Sequence, residues 1–310
     1  MLLRWLVNNY LRDATGAKLR DVASEIIQRA PGQTLDPRHP IPDTRRPTPD
    51  SPAPSLQPPA PHFLPCDAAF LFALGIESGG LVDQLQGVET SRHSHGIERA
   101  GKLAGREVAI IETGVGQKAA ARATVEAIKF YQPRWVISAG FAGGLTDELG
   151  RGHIVMADEV VSAQGERLAV GLKLDRASLE ATKGLHVGPL LTVDTLLREP
   201  AERRRLAAAH DAIAADMESY AVAEACRMSG VPFMAIRIIS DAVDDELPPE
   251  IEHLLAQKSF AGKIGAATGA ILRRFSAAKD LWKLREDALK ASDRLAKFLM
   301  GVVTQLSNDQ

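Results

Sequence analysis

Cysteine, net charge and long apolar runs are all scarce in this chain, and each scarcity excludes a class of protein. Cys66 and Cys226 are the only cysteines among 310 residues, which is too few for a disulfide framework and lacks the spacing of a cysteine zinc site. The formal net charge of −2 gives no electrostatic reason to expect nucleic acid as a partner. The sequence therefore predicts no bound metal, no nucleic-acid partner and a reducing, cytoplasmic environment.

The sequence also has no candidate membrane span and no secretory signal. No apolar run approaches the roughly 20 residues that a membrane-spanning helix needs. Asn8, Asn9 and Arg12 interrupt the N-terminus too early for a signal peptide. Apolar residues nevertheless make up 45% of the chain and charged residues 25%, which is enough to build a sizeable core. We expect a soluble globular protein that is not exported.

Composition divides the chain into four segments. Residues 1–30 carry apolar side chains at helical spacing, which predicts an amphipathic helix that packs on the protein's own core or across a homodimer, with peripheral membrane contact through Trp5 as the alternative. Residues 31–65 hold 12 of the 18 prolines and predict an extended linker. Residues 66–275 carry the alternating pattern of an α/β domain, and residues 276–310 predict a C-terminal amphipathic helix.

The central segment alternates short apolar runs with helical stretches such as Gln117–Phe130 and Met217–Ser229. The apolar runs that predict buried strands are 68–74, 108–111, 135–139, 153–157 and 233–239. Continuous apolar strands that alternate with helices favour a mostly parallel sheet that is covered on both faces. Ligands bind at the carboxyl ends of the strands in such sheets, so chemistry is expected just after each strand.

Two glycine-rich segments follow predicted strands. Gly114-Val-Gly116 opens a helix and is typical of a tight turn. A dinucleotide site is the alternative. Such a site needs an acidic residue at the end of the next strand, but that strand ends in Ala139-Gly140. Residues 140–145 contain three glycines and can expose backbone N–H groups to a phosphate or a sugar.

Two acidic residues lie where carboxylates can be buried. Asp241 follows the apolar run 233–239 and Ser240, a position in which burial can raise the pKa of a carboxyl group; a helix N-cap or a surface charge is the alternative. Glu218 follows Met217 at the start of a helix, where it can bind a sugar diol or serve only as a first-turn acid favoured by the helix dipole.

Five short motifs occur at these strand ends in one order along the chain. They are Ala-Leu-x-x-Glu (73–77), Gly-Val-Gly-Gln-Lys-Ala-Ala (114–120), Ser-Ala-Gly-Phe-Ala-Gly-Gly (138–144), Asp-Met-Glu-Ser (216–219) and Ile-Ser-Asp (239–241). Together they resemble the nucleoside phosphorylase/nucleosidase superfamily, and they are most similar to its methylthioadenosine/S-adenosylhomocysteine nucleosidase branch. The resemblance implies a phosphorylase/hydrolase-like α/β fold, in which a single three-layer domain surrounds a mostly parallel mixed sheet.

The resemblance also implies a mechanism without a cofactor. Glu77 falls on the branch's catalytic glutamate and can deprotonate a water, while Asp241, oriented by Ser240, can protonate N7 of a leaving purine. The residues that the resemblance assigns to substrate binding are Glu218, Met217, Phe141, Ala142, Gly143, Leu196 and Leu197. The expected reaction is hydrolysis of a 5′-substituted adenosine to release adenine, in nucleoside catabolism and methionine salvage.

Phosphate is the alternative nucleophile in this superfamily. Its phosphorylase branches carry an Arg and a Ser or Thr where this chain has Ser138 and Phe141, and a phosphate dianion needs charge-assisted donors. Hydrolysis is therefore the prediction and a purine nucleoside phosphorylase an alternative. Phe141 and the Leu-Pro-Pro of 247–249 are similar to hopanoid-associated adenosylhopane nucleosidases/phosphorylases, a further alternative. A catalytically silent nucleoside-binding protein is disfavoured, because binding alone does not need Glu77.

Overall fold

The computed structural model describes residues 65–93, 96–170, 183–245 and 278–306. The predicted N-terminal helix, the linker up to residue 64 and the Leu-Pro-Pro segment lie outside the described residues. The described strands are β1 (Ala68–Phe72), β2 (Gln86–His93), β3 (Gly96–Leu103), β4 (Arg106–Glu112), β5 (Trp135–Gly144), β6 (Ile154–Ser162), β7 (Arg167–Ala169), β8 (Leu185–Thr192), β9 (Ala214–Asp216) and β10 (Phe233–Asp241). The described helices are α1 (Gly75–Val82), α2 (Gln117–Tyr131), α3 (Pro200–His210), α4 (Ser219–Ser229) and α5 (Ala278–Gln305).

The core has three layers because side chains on a strand alternate between the two faces of the sheet. Phe70 of β1 lies on one face, in a buried cluster with Leu299 of α5. Leu71 lies on the opposite face, in a second cluster with Ala123 of α2 and Val222 of α4. Helices therefore cover both faces, and the predicted α/β fold around a mixed sheet is confirmed.

The sheet is mixed, and part of it closes on itself. Strand β5 pairs with β1, β10 and β9, while β10, β6, β8 and β9 pair in succession, so five strands form a ring. Among the described residues, five of the ten strand pairings are parallel. Because β1, β5 and β10 are mutually parallel through β5, their carboxyl ends lie at one edge of the sheet. The residues that follow them are brought together there.

The C-terminal helix α5 is part of the core. Leu295, which it carries, is fully buried in the cluster on the first face of the sheet. Its Ser292 accepts a hydrogen bond from the backbone N–H of Gly80 at 3.0 Å and donates one to the carbonyl of Glu77 at 3.3 Å. Because Gly80 and Glu77 both belong to α1, helix α5 fixes the position of the short helix that carries Glu77.

The contact between α1 and α5 leaves no room for a side chain at Gly80. A Cβ atom there would lie 2.8 Å from the carbonyl oxygen of Ser292, whereas a Cβ at the neighbouring Gly79 would meet nothing within 4 Å. We expect Gly80→Ala to lower the free energy of unfolding by about 1–3 kcal/mol through overpacking. The matched control Gly79→Ala should raise it by about 0.5–1 kcal/mol, since alanine is the better helix former. Urea denaturation measures both; equal effects at the two positions would contradict the close packing.

Candidate active site

One cavity opens at the carboxyl ends of β1, β5 and β10. It contains about 710 Å³ of space not occupied by protein atoms, including its open mouth. All the residues predicted as catalytic or substrate-binding contribute to its wall: Glu77, Phe141, Ala142, Gly143, Leu196, Leu197, Met217, Glu218, Ser240 and Asp241. The fold therefore brings together side chains that are up to 164 positions apart in the sequence.

Glu77 lies in the first turn of α1, and both of its carboxyl oxygens accept backbone hydrogen bonds. Oε2 accepts from the N–H of Leu74 at 2.8 Å, and Oε1 accepts from the N–H of Phe141 on β5 at 2.9 Å. Burial raises the pKa of Glu77 to about 7, although the two N–H donors and the guanidinium of Arg237 oppose the shift. Glu77 is thus both a helix-start acid and a cavity carboxyl, with a pKa suited to general base catalysis near neutral pH.

Ser240 and Asp241 end β10 and face the same cavity. The hydroxyl of Ser240 donates to Oδ1 of Asp241 at 2.5 Å, as the predicted orienting role requires. The guanidinium of Arg203, from α3, lies 2.5 Å from Oδ2 of the same carboxyl group. Burial raises the pKa of Asp241 above its ordinary value, against the lowering effects of Arg203 and Ser240. Both oxygens of the buried Asp241 carboxyl group are therefore held in place, Oδ1 by Ser240 and Oδ2 by Arg203.

Glu218 stands at the N-cap position of α4 and is held by the glycine turn that follows β4. Its Oε1 accepts a hydrogen bond from the backbone N–H of Gly116 at 2.8 Å, and the side chain is 8% exposed. Burial and the neighbouring carboxyl of Asp216 raise the pKa of Glu218, and Arg237 opposes them. The backbone N–H of Gly116, where φ is +99°, therefore holds a carboxyl group of the protein itself.

Arg237 is a buried cation that the sequence analysis missed. Its guanidinium donates to Asp216 at 2.5 and 2.9 Å, to Ser138 at 2.8 Å and to Ser219 at 3.0 Å. Ser138 therefore contacts a cationic donor. This arginine comes from β10, and not from the position at which the phosphorylase pattern has its Arg. The signal was present in the sequence, because a charged residue within the apolar run 233–239 must be paired when it is buried.

The glycines of β5 give space to the carboxyl groups of Glu77 and Asp241. A Cβ atom on Gly140 would lie 2.8 Å from Oε1 of Glu77, and one on Gly143 would lie 3.0 Å from Oδ2 of Asp241. The sequence predicts that these glycines let the backbone approach a ligand. The structure gives an additional reason for them, since both carboxyl groups pack directly against the strand.

The part of the cavity wall that follows strand β8 is aliphatic. Val193, Leu196 and Leu197 line it, with Thr195 between them. Phe141 is the one aromatic residue among the described residues that line the cavity. A flat aromatic ligand can therefore pack against aliphatic side chains here.

The described ranges contain neither a candidate metal site nor a candidate membrane span. No group of three or more His, Cys, Asp or Glu side chains in those ranges can hold a metal ion. None of the helices within them is long and apolar enough to cross a membrane.

Comparisons with known proteins show the family to which the chain belongs. A family model described as "Phosphorylase superfamily" matches residues 67–277. A 5′-methylthioadenosine/S-adenosylhomocysteine nucleosidase of Shewanella sp. (strain W3-18-1) is 30% identical over 195 residues, which are 55% of this chain and 84% of the relative. The nucleosidase of the same name from Shewanella halifaxensis is 29% identical over 51% of this chain and 78% of its own length.

A solved structure has the same fold. The 5′-methylthioadenosine/S-adenosylhomocysteine nucleosidase of Neisseria meningitidis, in complex with methylthio-immucillin-A, superposes with a TM-score of 0.59 at 21% identity. The alignment covers 77% of this chain and 98% of that chain.

Proposed function

The chain belongs to the phosphorylase superfamily, and we propose that it hydrolyses the N-glycosidic bond of a 5′-substituted adenosine, of the methylthioadenosine or S-adenosylhomocysteine type, to release adenine. Its class, a nucleosidase that acts on purine nucleosides, follows from curated relatives of that kind at about 30% identity. The observation that carries the proposal is the set of three buried carboxyl groups, Glu77, Glu218 and Asp241, around one cavity. The proposed role is in nucleoside catabolism and methionine salvage.

Protonation of the leaving base is the first requirement of the reaction, because a neutral purine leaves far more readily than its anion. Asp241 is the proposed acid for this step, which is supported by the burial that favours its protonated form and by the hydrogen bond from Ser240. General acid catalysis of this kind is typically worth about 10²–10⁴ in rate. The proton passes from Asp241 to N7 as the bond between C1′ and the purine nitrogen breaks.

The ribose that remains is an oxocarbenium-like cation, and two carboxyl groups act on it. Glu218 accepts hydrogen bonds from the ribose hydroxyls, and the forming cation favours its ionised form, which binds the cation more tightly than the neutral substrate. Glu77 accepts a proton from the water that attacks C1′, and its pKa of about 7 lets it hold and release that proton near neutral pH. Arg237 offsets part of the negative charge that these groups create.

The same carboxyl groups predict how ligand binding depends on pH. An analogue with a cationic amine in its sugar ring is attracted by ionised Glu77 and Glu218, whose raised pKa values mean that both become neutral as pH falls. Affinity for such an analogue should fall by at least about tenfold between roughly pH 8 and pH 5.5, since a contacting opposite charge shifts a pKa by about 1–3 units. Calorimetric titration at the two pH values measures the affinity. A neutral analogue with the same base is the control; parallel pH dependence of the two would contradict the prediction.

Water rather than phosphate is the proposed nucleophile. Phe141 stands where the phosphorylase branches carry a hydroxyl, and the guanidinium of Arg237 is already bound to Asp216 and Ser138. We expect the free sugar as the product whether or not phosphate is present, which ³¹P and ¹H NMR of the reaction mixture can measure. The buried cation Arg237 is the observation that favours a phosphorylase as the second candidate, and a sugar 1-phosphate product would establish it.

A further inference from the structure

A second buried arginine contacts the proposed acid directly. The side chain of Arg203 is 1% exposed and donates from Nε and Nη2 to the carbonyl of Leu197, at 3.2 and 2.9 Å. Its Nη1 donates to the carbonyl of Ala242 at 2.6 Å, and Nη2 also lies 2.5 Å from Oδ2 of Asp241. One guanidinium therefore joins the end of β10 to the aliphatic wall of the cavity.

The burial of Arg203 is specific to this one position of a triple-arginine segment. Arg204, the next residue on α3, has a side chain that is 45% exposed and pairs with Asp147 and Asp244 at the surface, and Arg205 is exposed. Removing a guanidinium from water is unfavourable unless its N–H groups find partners. Arg203 finds its partners in the carboxyl group of Asp241 and in the backbone carbonyls of Leu197 and Ala242.

We propose that Arg203 is a positioning residue that acts through Asp241: it fixes the carboxyl group relative to the Leu196-Leu197 wall, so that acid and purine are aligned for proton transfer. This inference rests on the function proposed above. The guanidinium uses four of the five N–H groups that an arginine offers in these contacts. A lysine ammonium cannot reach the same three oxygens at once, because its donors radiate from one nitrogen.

Other charged groups near Asp241 do not duplicate this contact. Asp245 is paired with Arg151 and accepts the N–H of Ala242, and on the β5 side the carboxyl group packs against Gly143. Arg203 also opposes the rise that burial produces in the pKa of Asp241. Its removal should therefore change both where the carboxyl group lies and how readily it gives up its proton.

A double-mutant cycle tests whether Arg203 acts through Asp241. Arg203→Met is expected to lower kcat for adenine release by about 10²-fold in the wild-type background, as misplacement of a catalytic group by about 1 Å does. In the Asp241→Asn background the same change should alter kcat by less than about threefold, because the group through which it acts is already absent. A merely structural arginine would cause the same loss in both backgrounds, and that result would overturn the proposal.

Three further measurements keep the test decisive. Arg204→Met, the exposed neighbour, should leave kcat unchanged. Arg203→Lys should recover at least about tenfold of the activity lost in Arg203→Met, since the cation near Asp241 returns, but not full activity. If Arg203→Met does not fold, because the buried carbonyls of Leu197 and Ala242 lose their donor, Arg203→Lys enters the cycle in its place, and an equal loss in both backgrounds again overturns the proposal. Absence of adenine release by the wild-type enzyme would instead contradict the proposed function.

Discussion

Asp241→Asn is expected to lower kcat for adenine release by about 10²-fold or more while affinity for a non-cleavable nucleoside analogue stays close to that of the wild type. Asparagine has nearly the shape of aspartate but carries no acidic proton. Its carbonyl can still accept from Arg203, and its amide can donate to Ser240, because a hydroxyl both donates and accepts. The reaction thus loses the acid while the contacts at Asp241 are largely kept. Steady-state kinetics and calorimetric titration measure the two quantities.

Asp244→Asn is the matched control for this change. Asp244 follows the same strand, but its side chain is 76% exposed and pairs with Arg204 at the surface. Its substitution should leave kcat within about twofold of the wild type, since exposed ion pairs contribute little. Normal turnover in Asp241→Asn would remove Asp241 from the mechanism, and an equal loss in both variants would show that the effect is not specific to the buried carboxyl group.

Glu77→Gln is expected to lower kcat by on the order of 10²-fold or more, because glutamine cannot accept a proton from water. The contacts of Glu77 add a second expectation. Both carboxyl oxygens accept backbone N–H groups, from Leu74 and Phe141, and the amide of glutamine must turn its NH₂ towards one of them. Leaving one buried N–H without an acceptor costs about 1–3 kcal/mol, so the Tm should fall as well. Kinetics and thermal unfolding therefore have to be measured together.

Glu202→Gln separates the two roles of Glu77. Glu202 is likewise an acid in the first turn of a helix, α3, but it is not among the residues that line the cavity. Its substitution should lower the free energy of unfolding by about 0.3–1 kcal/mol, the value of a first-turn acid, with kcat unchanged. If Glu77→Gln lowered the Tm but left kcat normal, Glu77 would be a structural acid only, and another group would have to activate the water.

The location of the candidate site was predictable because it depends on strand ends. The buried strands β1, β5 and β10 are continuous apolar runs, and in a parallel arrangement their carboxyl ends meet. Glu77, Phe141 and Asp241 lie at or just after the ends of these runs. Their positions in the sequence were therefore enough to predict that they line one cavity. The same reasoning gave the α/β class of the fold.

Other features depend on contacts that no local pattern reveals. Strand β2 is exposed along its whole length, so it lacks the apolar alternation by which strands are recognised. Strand β9 has only three residues, and the ring of five strands follows from pairings between distant segments. Arg203 is one of three consecutive arginines, and only the position of α3 determines which of them is buried. Arg237, in contrast, could have been found as a charge within an apolar strand.

Adenine release from 5′-methylthioadenosine by the purified wild-type protein, followed by chromatography with Asp241→Asn as the blank, is the decisive test of the proposed hydrolysis. We expect stoichiometric adenine and free 5-methylthioribose in phosphate-free buffer, with at least about a 10²-fold slower reaction in the blank. Absence of adenine from methylthioadenosine, S-adenosylhomocysteine and adenosine alike, or equal rates in the wild type and the blank, would contradict it.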